Sequence, residues 1–115
     1  MGSIRVVTVL AVGVFLITSV LPTMVHADDN YMWCLSVDGR SGGKVYYSDP
    51  FSAPISDNLK AETAFENYVR SHYEVGTDVR SACKNISSMS EARSSRDRDA
   101  GMKKRTEVVF TTWTY

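Results

Sequence analysis

The chain has 115 residues, and its 13 lysines and arginines are balanced by 13 aspartates and glutamates. This length allows about one small domain. A formal net charge of zero gives the chain as a whole no electrostatic reason to seek nucleic acid, so we expect no nucleic-acid partner. Two histidines and two cysteines leave few ligands for a transition metal.

Residues 1–27 have the pattern of a secretory signal peptide. Arg5 is the only charged residue before a long apolar run, and "VHA" (residues 25–27) supplies the small residues of a cleavage site. We predict cleavage after Ala27, leaving a single small domain over residues 28–115 that is periplasmic or secreted. An uncleaved membrane anchor is the alternative, although a run of about 16 residues is shorter than the ~20 that span a bilayer. After cleavage, no membrane span is expected.

Both cysteines, Cys34 and Cys83, fall in the predicted domain. An exported chain passes through oxidising compartments, where thiols pair, and a domain this small is marginally stable without a crosslink. We therefore predict a Cys34–Cys83 disulfide. A reactive or metal-binding thiol pair is the alternative, but the two cysteines lack the C-x-x-C spacing of such sites.

The predicted domain begins with a β-hairpin. "YMWCLSVD" (residues 31–38) alternates in the manner of a strand, and "KVYYSDPF" (residues 44–51) is a second β-prone run. "DGRSGG" (residues 38–43) between them is rich in turn-forming residues, which predicts a hairpin loop. The adjacent Tyr46 and Tyr47 must point to opposite faces, so one of them faces solvent unless both faces are covered.

A helix over residues 56–73 follows, with Ser56 or Asp57 as its cap. Its core-facing stripe consists of Ala61, Ala64, Phe65, Tyr68, Val69 and His72. Residues 77–86 form a short strand that carries Cys83.

A second, surface-lying helix is predicted within residues 88–105. Ser88 and Glu91 match the S-x-x-E capping box, and Gly101 stands where the helix should stop. Residues 106–115 then form a β-prone strand that should pair with the sheet. This strand buries either Val109, Thr111 and Trp113 or Val108 and Phe110, and Trp113 would meet Trp33 across the sheet.

The element order β-β-α-(β)-α-β predicts a small α+β fold. We expect an antiparallel sheet of three to four strands with both helices on one face and one disulfide.

Residues with catalytic chemistry are sparse. His72 ends a helical stripe, where a packed or half-exposed histidine is the ordinary outcome. Glu62 and Glu66 are i, i+4 neighbours, and a solvated helix face explains them better than an acid/base pair. We expect no enzymatic activity, no cofactor and no metal site. "NIS" (residues 85–87) is a glycosylation sequon that matters only in a eukaryotic source.

The strongest electrostatic feature is a basic set in the second helix and the segment after it. Such a set can bind anionic glycans, lipid headgroups or an acidic partner protein. Interleaved acids make an exposed helix laced with salt bridges the alternative. The set consists of Arg93, Arg96, Arg98, Lys103, Lys104 and Arg105.

The tail "ACKNISSMSEARSSRDRDAGMKKRTEVVFTTWTY" resembles the ends of small exported bacterial proteins of unknown function, in which a cysteine strand, an "EA-R" helix and a terminal valine-tryptophan strand recur. Its helix opening "S-x-S-E-A-R" is also similar to half of a sporulation-related peptidoglycan-binding repeat, although the aromatic-glycine opening strand of that family is missing here. Neither resemblance implies particular functional residues.

The expected function is that of an exported bacterial binding protein acting through protein–protein contact, such as an inhibitor or immunity-type protein. A peptidoglycan or glycan-binding module that uses exposed aromatics and the basic helix is the alternative. A small hydrolase is a third hypothesis.

Overall fold

A computed structural model describes residues 29–115. The predicted signal segment, residues 1–27, lies outside the described residues. The described chain forms an α+β fold with a mixed sheet and two helices, which confirms the predicted fold class. Its elements are β1 (Asp29–Asp38), β2 (Val45–Tyr47), β3 (Phe51–Pro54), α1 (Asn58–His72), β4 (Val79–Ile86), α2 (Met89–Gly101) and β5 (Val108–Phe110).

Strand β1 lies at the centre of the sheet. It pairs with β4 along one edge and with β2 and β3 along the other, antiparallel in each case. Leu35 lies opposite Tyr47, and Met32 lies opposite Phe51. The β2–β3 side therefore carries one more residue than β1 between these pairs, which defines a β-bulge. The single strand predicted over residues 44–51 is therefore divided at the bulge into β2 and β3, and β3 continues to Pro54.

Ser48 holds the bulge together. Its Oγ accepts a hydrogen bond from the Cys34 backbone N–H at 2.8 Å, and its own N–H donates to the Cys34 carbonyl at 2.9 Å. The loop before β2 is the predicted hairpin loop, and Gly42 in it has a φ of 77°, a conformation that glycine adopts without steric cost.

The final strand, β5, pairs with β2 in the parallel direction, so the expectation of a fully antiparallel sheet is wrong. The physical reason is the route of the chain. Because β2 and β4 are both antiparallel to β1, they run in the same direction as each other. Helix α2 carries the chain from β4 across one face of the sheet, and a helical crossover of this kind returns the chain in a parallel direction.

The helices lie on opposite faces of the sheet, which corrects the prediction that both lie on one face. Phe65 of α1 belongs to the core cluster of Met32 and Cys34, whereas Ala92 of α2 belongs to the separate cluster of Trp33 and Tyr47. Neighbouring residues of a strand point to opposite faces. Since β1 and β2 carry large apolar side chains at consecutive positions, both faces need a cover.

Covering both faces explains two further outcomes. Tyr46 and Tyr47 are both buried, one on each side of the sheet. Trp113 packs on the α1 side, with its ring centroid 5.1 Å from that of Phe65, while Trp33 lies on the α2 side. The expected contact between the two tryptophans is therefore wrong.

The C-terminal strand uses both of its predicted faces. Val109 packs against the α1-side cluster and Val108 against the α2-side cluster. Thr111 is buried, whereas Phe110 remains 53% exposed.

Cys34 and Cys83 lie directly opposite each other and form the predicted disulfide. The N–H and C=O of Cys34 both bond to Ser48 on the β2 side. The pair is therefore a non-hydrogen-bonded pair of the β1–β4 ladder, and the backbone polar groups of Cys83 point away from β1, toward the outer edge of β4.

Helix α1 covers this part of the outer edge. Asn58 Nδ2 donates a hydrogen bond to the Cys83 carbonyl at 3.2 Å, and the Cys83 N–H donates to Glu62 Oε2 at 3.3 Å. Two side chains one helical turn apart thus occupy both backbone groups of one edge residue. Among residues 29–115, the structure contains no helix with the length and apolarity needed to cross a membrane.

Candidate functional site

Helix α2 carries three of the six residues of the predicted basic set, and the other three lie in the segment after it. At the N-terminus of α2, Ser88 is the cap, as predicted, and its Oγ accepts a hydrogen bond from the Glu91 N–H at 3.2 Å. Only Ala92 and Arg96 of this helix are buried. The remaining surface of the helix is open to solvent or partly so, and it carries charged side chains at closely spaced positions.

Arg96 does not belong to the exposed set, which corrects its assignment to the basic patch. It is 8% exposed. Its Nη1 donates to the Ser48 carbonyl at 3.1 Å and to Asp49 Oδ1 at 3.2 Å, and its Nη2 donates to Asp97 Oδ1 at 2.9 Å. Its guanidinium also lies 4.9 Å from the centroid of the Phe110 ring. Arg96 therefore fixes the bulge of the sheet and is not free to bind a partner.

The lysines and arginines of residues 29–115 divide into two groups. One group forms ion pairs and is spread over the fold: Arg40, Lys44, Lys60, Arg70, Arg80, Arg96 and Lys103. The other group has no ion-pair partner within residues 29–115, and we call it the cationic face: Lys84, Arg93, Arg98, Lys104 and Arg105.

The members of the cationic face lie on α2, directly after it, or on the sheet face that it covers. Arg93 and Arg98 belong to α2, and Lys104 and Arg105 follow directly after it. Lys84 belongs to β4, but it stands opposite Trp33 in the ladder and so shares the face that α2 covers. All five side chains are exposed.

A cavity of about 270 Å³ opens between α2 and β4 on this side. Lys84 of β4 and Arg98 of α2 both line it, and we call it the α2–β4 cavity. Trp33 forms part of its wall and is held in place because its Nε1 donates a hydrogen bond to Ser95 Oγ at 3.1 Å.

Asp99 is the one carboxylate that lines the α2–β4 cavity. Its Oδ2 accepts a hydrogen bond from the Tyr47 hydroxyl at 2.6 Å and lies 3.6 Å from Lys103 Nζ. Burial, together with the hydrogen bond to Asp99, raises the pKa of Tyr47 far above its usual value. The hydroxyl therefore stays protonated as a donor, and the charge of Asp99 is balanced within the protein.

A second cavity, of about 440 Å³, lies at the hairpin loop between β1 and β2. Arg40, Lys103 and Arg105 line it together with Asp38. Asp38 is buried and accepts hydrogen bonds from Arg40 Nη2 at 2.7 Å and from the Gly76 N–H at 3.3 Å.

The pairing at Asp38 is structural. The hydrogen bond from Arg40 lowers the pKa of Asp38. Arg40 Nη2 also donates to the Glu74 carbonyl at 3.0 Å. These contacts clamp the hairpin loop to the loop between α1 and β4.

His72 is exposed at the end of α1, and its ring stacks on Tyr68 at a centroid distance of 4.1 Å. Glu62 and Glu66 are half-buried against β4, so the prediction of a solvated face is wrong for them. Glu66 Oε1 accepts a hydrogen bond from Ser81 Oγ at 3.1 Å. These carboxylates turn toward the sheet because the edge of β4 offers them backbone and hydroxyl donors.

The asparagine of the predicted sequon, Asn85, is exposed near the end of β4. Its Oδ1 accepts a hydrogen bond from Asn58 Nδ2 at 3.4 Å.

Sequence analysis missed Lys84 as a member of the basic set. The alternation of side chains along β4 could have indicated it, because residues two apart in a strand point to the same face and Lys84 therefore lies on the same face as Ile86. That face could be assigned to α2 only after the helix itself had been placed. Within residues 29–115, no three histidine, cysteine, aspartate or glutamate side chains come together in a way that could hold a metal ion.

Comparisons with protein-family models, curated proteins and solved structures found no match to the chain.

Proposed function

We propose that this chain is an exported, disulfide-crosslinked binding protein whose cationic face docks on an acidic surface of a partner protein. Its action is of the inhibitor or immunity type, in which contact itself is the function. The observation that carries the proposal is a set of five exposed cations on and around α2 that have no ion-pair partners among the described residues, namely Lys84, Arg93, Arg98, Lys104 and Arg105.

An acidic partner would supply these cations with the counter-charges that they lack in the free protein. It would also accelerate encounter by electrostatic steering. The other cations in residues 29–115 each lie within 4.0 Å of a carboxylate oxygen, as in the pairs Arg40–Asp38 and Arg70–Glu66. The contrast between the ion-paired cations and the unpaired cations of the cationic face supports a role in binding for the unpaired ones.

Export is supported by two independent features. The N-terminal pattern is that of a signal peptide. The Cys34–Cys83 crosslink is of a kind that persists in oxidising compartments and is rare in reducing ones.

A glycan-binding module remains the alternative, and it has less support. Sugar sites commonly use exposed aromatic side chains as platforms, but Trp33, Tyr46 and Tyr47 are all buried. The exposed aromatics, Phe110 and Tyr115, line neither of the two cavities described above, so the alternative depends on these two side chains and the cations. Sedimentation of the protein with purified peptidoglycan tests it directly.

The experiment for the proposal compares two charge-reversal variants. K84E/R98E/R105E removes three cations from the cationic face, and K44E/K60E/R80E makes the same change of net charge at three ion-paired cations elsewhere. Exposed ion pairs contribute little to stability, so both variants should fold. The wild-type protein is first used to capture binding proteins from the periplasmic or extracellular fraction of the source. Each captured protein is identified and purified, and its binding to the wild type and to each variant is measured by titration.

We expect the purified partner to bind the wild-type and K44E/K60E/R80E proteins similarly. Binding to K84E/R98E/R105E should be at least about tenfold weaker, and wild-type affinity should fall as salt increases. A purified partner that binds K84E/R98E/R105E as tightly as the wild type would overturn the proposal.

A further inference from the structure

The α2–β4 cavity has the chemistry of a recess for a carboxylate. We propose that it receives a carboxylate with an adjacent apolar group from the peptide chain of the partner. This inference rests on the proposed function, because it specifies what part of an acidic partner the cationic face recognises. The source of the carboxylate is either a chain end or an acidic side chain, and the experiment below separates these.

Two cations converge on the cavity from different elements. Lys84 projects from β4 and Arg98 from α2, and neither forms an ion pair within the described part of the chain. Guanidinium groups bind carboxylates through two parallel hydrogen bonds, and an ammonium adds a point charge. A carboxylate between these two side chains would be contacted from both walls.

Asp99 does not cancel this attraction. Its carboxylate already accepts a hydrogen bond from Tyr47 and lies beside Lys103. Lys84 and Arg98 are therefore not bound to any carboxylate within the described part of the chain.

The rest of the lining is apolar enough to hold a hydrocarbon group. Trp33 and Ile86 contribute to it, and Met102 is 65% exposed beside them. Methionine adapts its shape to irregular partners. Sites for drug-sized ligands have volumes of about 300–1,000 Å³, so a cavity of about 270 Å³ suits a group the size of one amino-acid residue.

Trp33 makes the cavity observable in solution. Its indole N–H bonds to Ser95 within the cavity lining, whereas Trp113 packs on the opposite face of the sheet. In nitrogen-15 NMR spectra, a ligand in the cavity should shift the indole signal of Trp33 and leave that of Trp113 unchanged. N-acetyl-leucine, which joins a terminal carboxylate to an aliphatic side chain, is the first probe.

Variants then test the two cations. K84Q and R98Q should each weaken binding of N-acetyl-leucine about tenfold, because each removes a charge-assisted hydrogen bond. R93Q is the matched control, since Arg93 is an exposed cation of the same helix that does not line the cavity. R93Q should bind the probe as the wild type does.

Two further probes identify the source of the carboxylate. N-acetyl-leucinamide lacks the charge and should not shift the Trp33 signal. N-acetyl-glutamic acid α-amide carries only a side-chain carboxylate, and tighter binding of this probe than of N-acetyl-leucine would assign the cavity to acidic side chains.

The inference is overturned if no probe shifts Trp33, if the amide binds as well as the acid, or if K84Q and R98Q bind like R93Q. Loss of partner binding in K84E/R98E/R105E together with silent probes would leave the proposed function standing and remove only the cavity from it.

Discussion

Glu62 of α1 accepts a hydrogen bond from the backbone N–H of Cys83, which points away from β1 at the outer edge of β4. Asn58, one helical turn earlier, donates to the carbonyl of the same residue. Free edge groups of a sheet are templates for pairing with a second chain. The two side chains occupy the groups that such a chain would need in the middle of the edge.

We predict that N58A/E62A exposes this edge. The amide hydrogen of Cys83 should exchange faster than in the wild type, and the free energy of unfolding should fall by about 1–3 kcal/mol for two lost hydrogen bonds. Sedimentation at increasing concentration should show self-association. K60A, at an exposed position of the same helix, is the control, and equal exchange rates in both variants would refute the covering role.

The disulfide gives a second prediction. It joins residues separated by 49 positions, and the chain-entropy treatment assigns such a crosslink about 4 kcal/mol. C34A/C83A should therefore unfold at a melting temperature lower by on the order of 20 °C. A reductant should lower the melting temperature of the wild type to that of C34A/C83A, and it should leave the melting temperature of the variant unchanged. Wild-type protein that keeps its melting temperature after both thiols are shown to be free would contradict this.

Asp38 should make stability depend on pH. Hydrogen bonds from Arg40 and Gly76 favour its charged form, so its pKa in the folded protein lies below the value of about 3.9 typical of an unfolded chain. The stabilisation is fully present above the unfolded pKa and is lost as pH falls through the folded pKa.

D38N should accordingly destabilise the protein at pH 7, and its deficit relative to the wild type should shrink as pH falls below 4. Urea unfolding at several pH values measures this. The control is D78N, which removes an exposed carboxylate that pairs with Arg80. A deficit of D38N that is the same at pH 3 and pH 7 would exclude the charged form of Asp38 as its cause.

Arg96 and Arg93 provide a matched pair on one helix. R96M leaves the Ser48 carbonyl and two carboxylates without their donor, so it should reduce the free energy of unfolding by about 2–3 kcal/mol. R93M alters an exposed position and should change it by less than about 0.5 kcal/mol. Chemical denaturation of both proteins checks the difference, and equal stabilities would mean that Arg96 has no structural role.

Local sequence patterns were sufficient for much of the fold. The alternation of residues 31–38 gave β1, and the capping box at Ser88 gave the start of α2. Both depend on interactions between residues a few positions apart, which a single sequence contains. The disulfide was accessible as well, because the chain offers only one pair of cysteines.

Contacts between residues far apart in the sequence could not be predicted from local patterns. The helical period places Arg96, unlike Arg93, on the same side of the helix as Ala92 and Ala100. Its partner could not be predicted in this way, because the Ser48 carbonyl lies 48 positions away. The assignment of each helix to a face depended on how the chain crosses from β4 to β5. The membership of Lys84 in the candidate site follows from the same crossover.

The central position of β1 has a consequence for the order of events during synthesis. The strand that occupies the middle of the sheet is the first of the described elements to leave the ribosome. It pairs with β4 from Tyr31 to Asp38, so it cannot complete its hydrogen bonds until residue 86 has emerged. Closure of the β1–β4 ladder is therefore a late event in synthesis, whereas β2 and β3 can pair with β1 earlier.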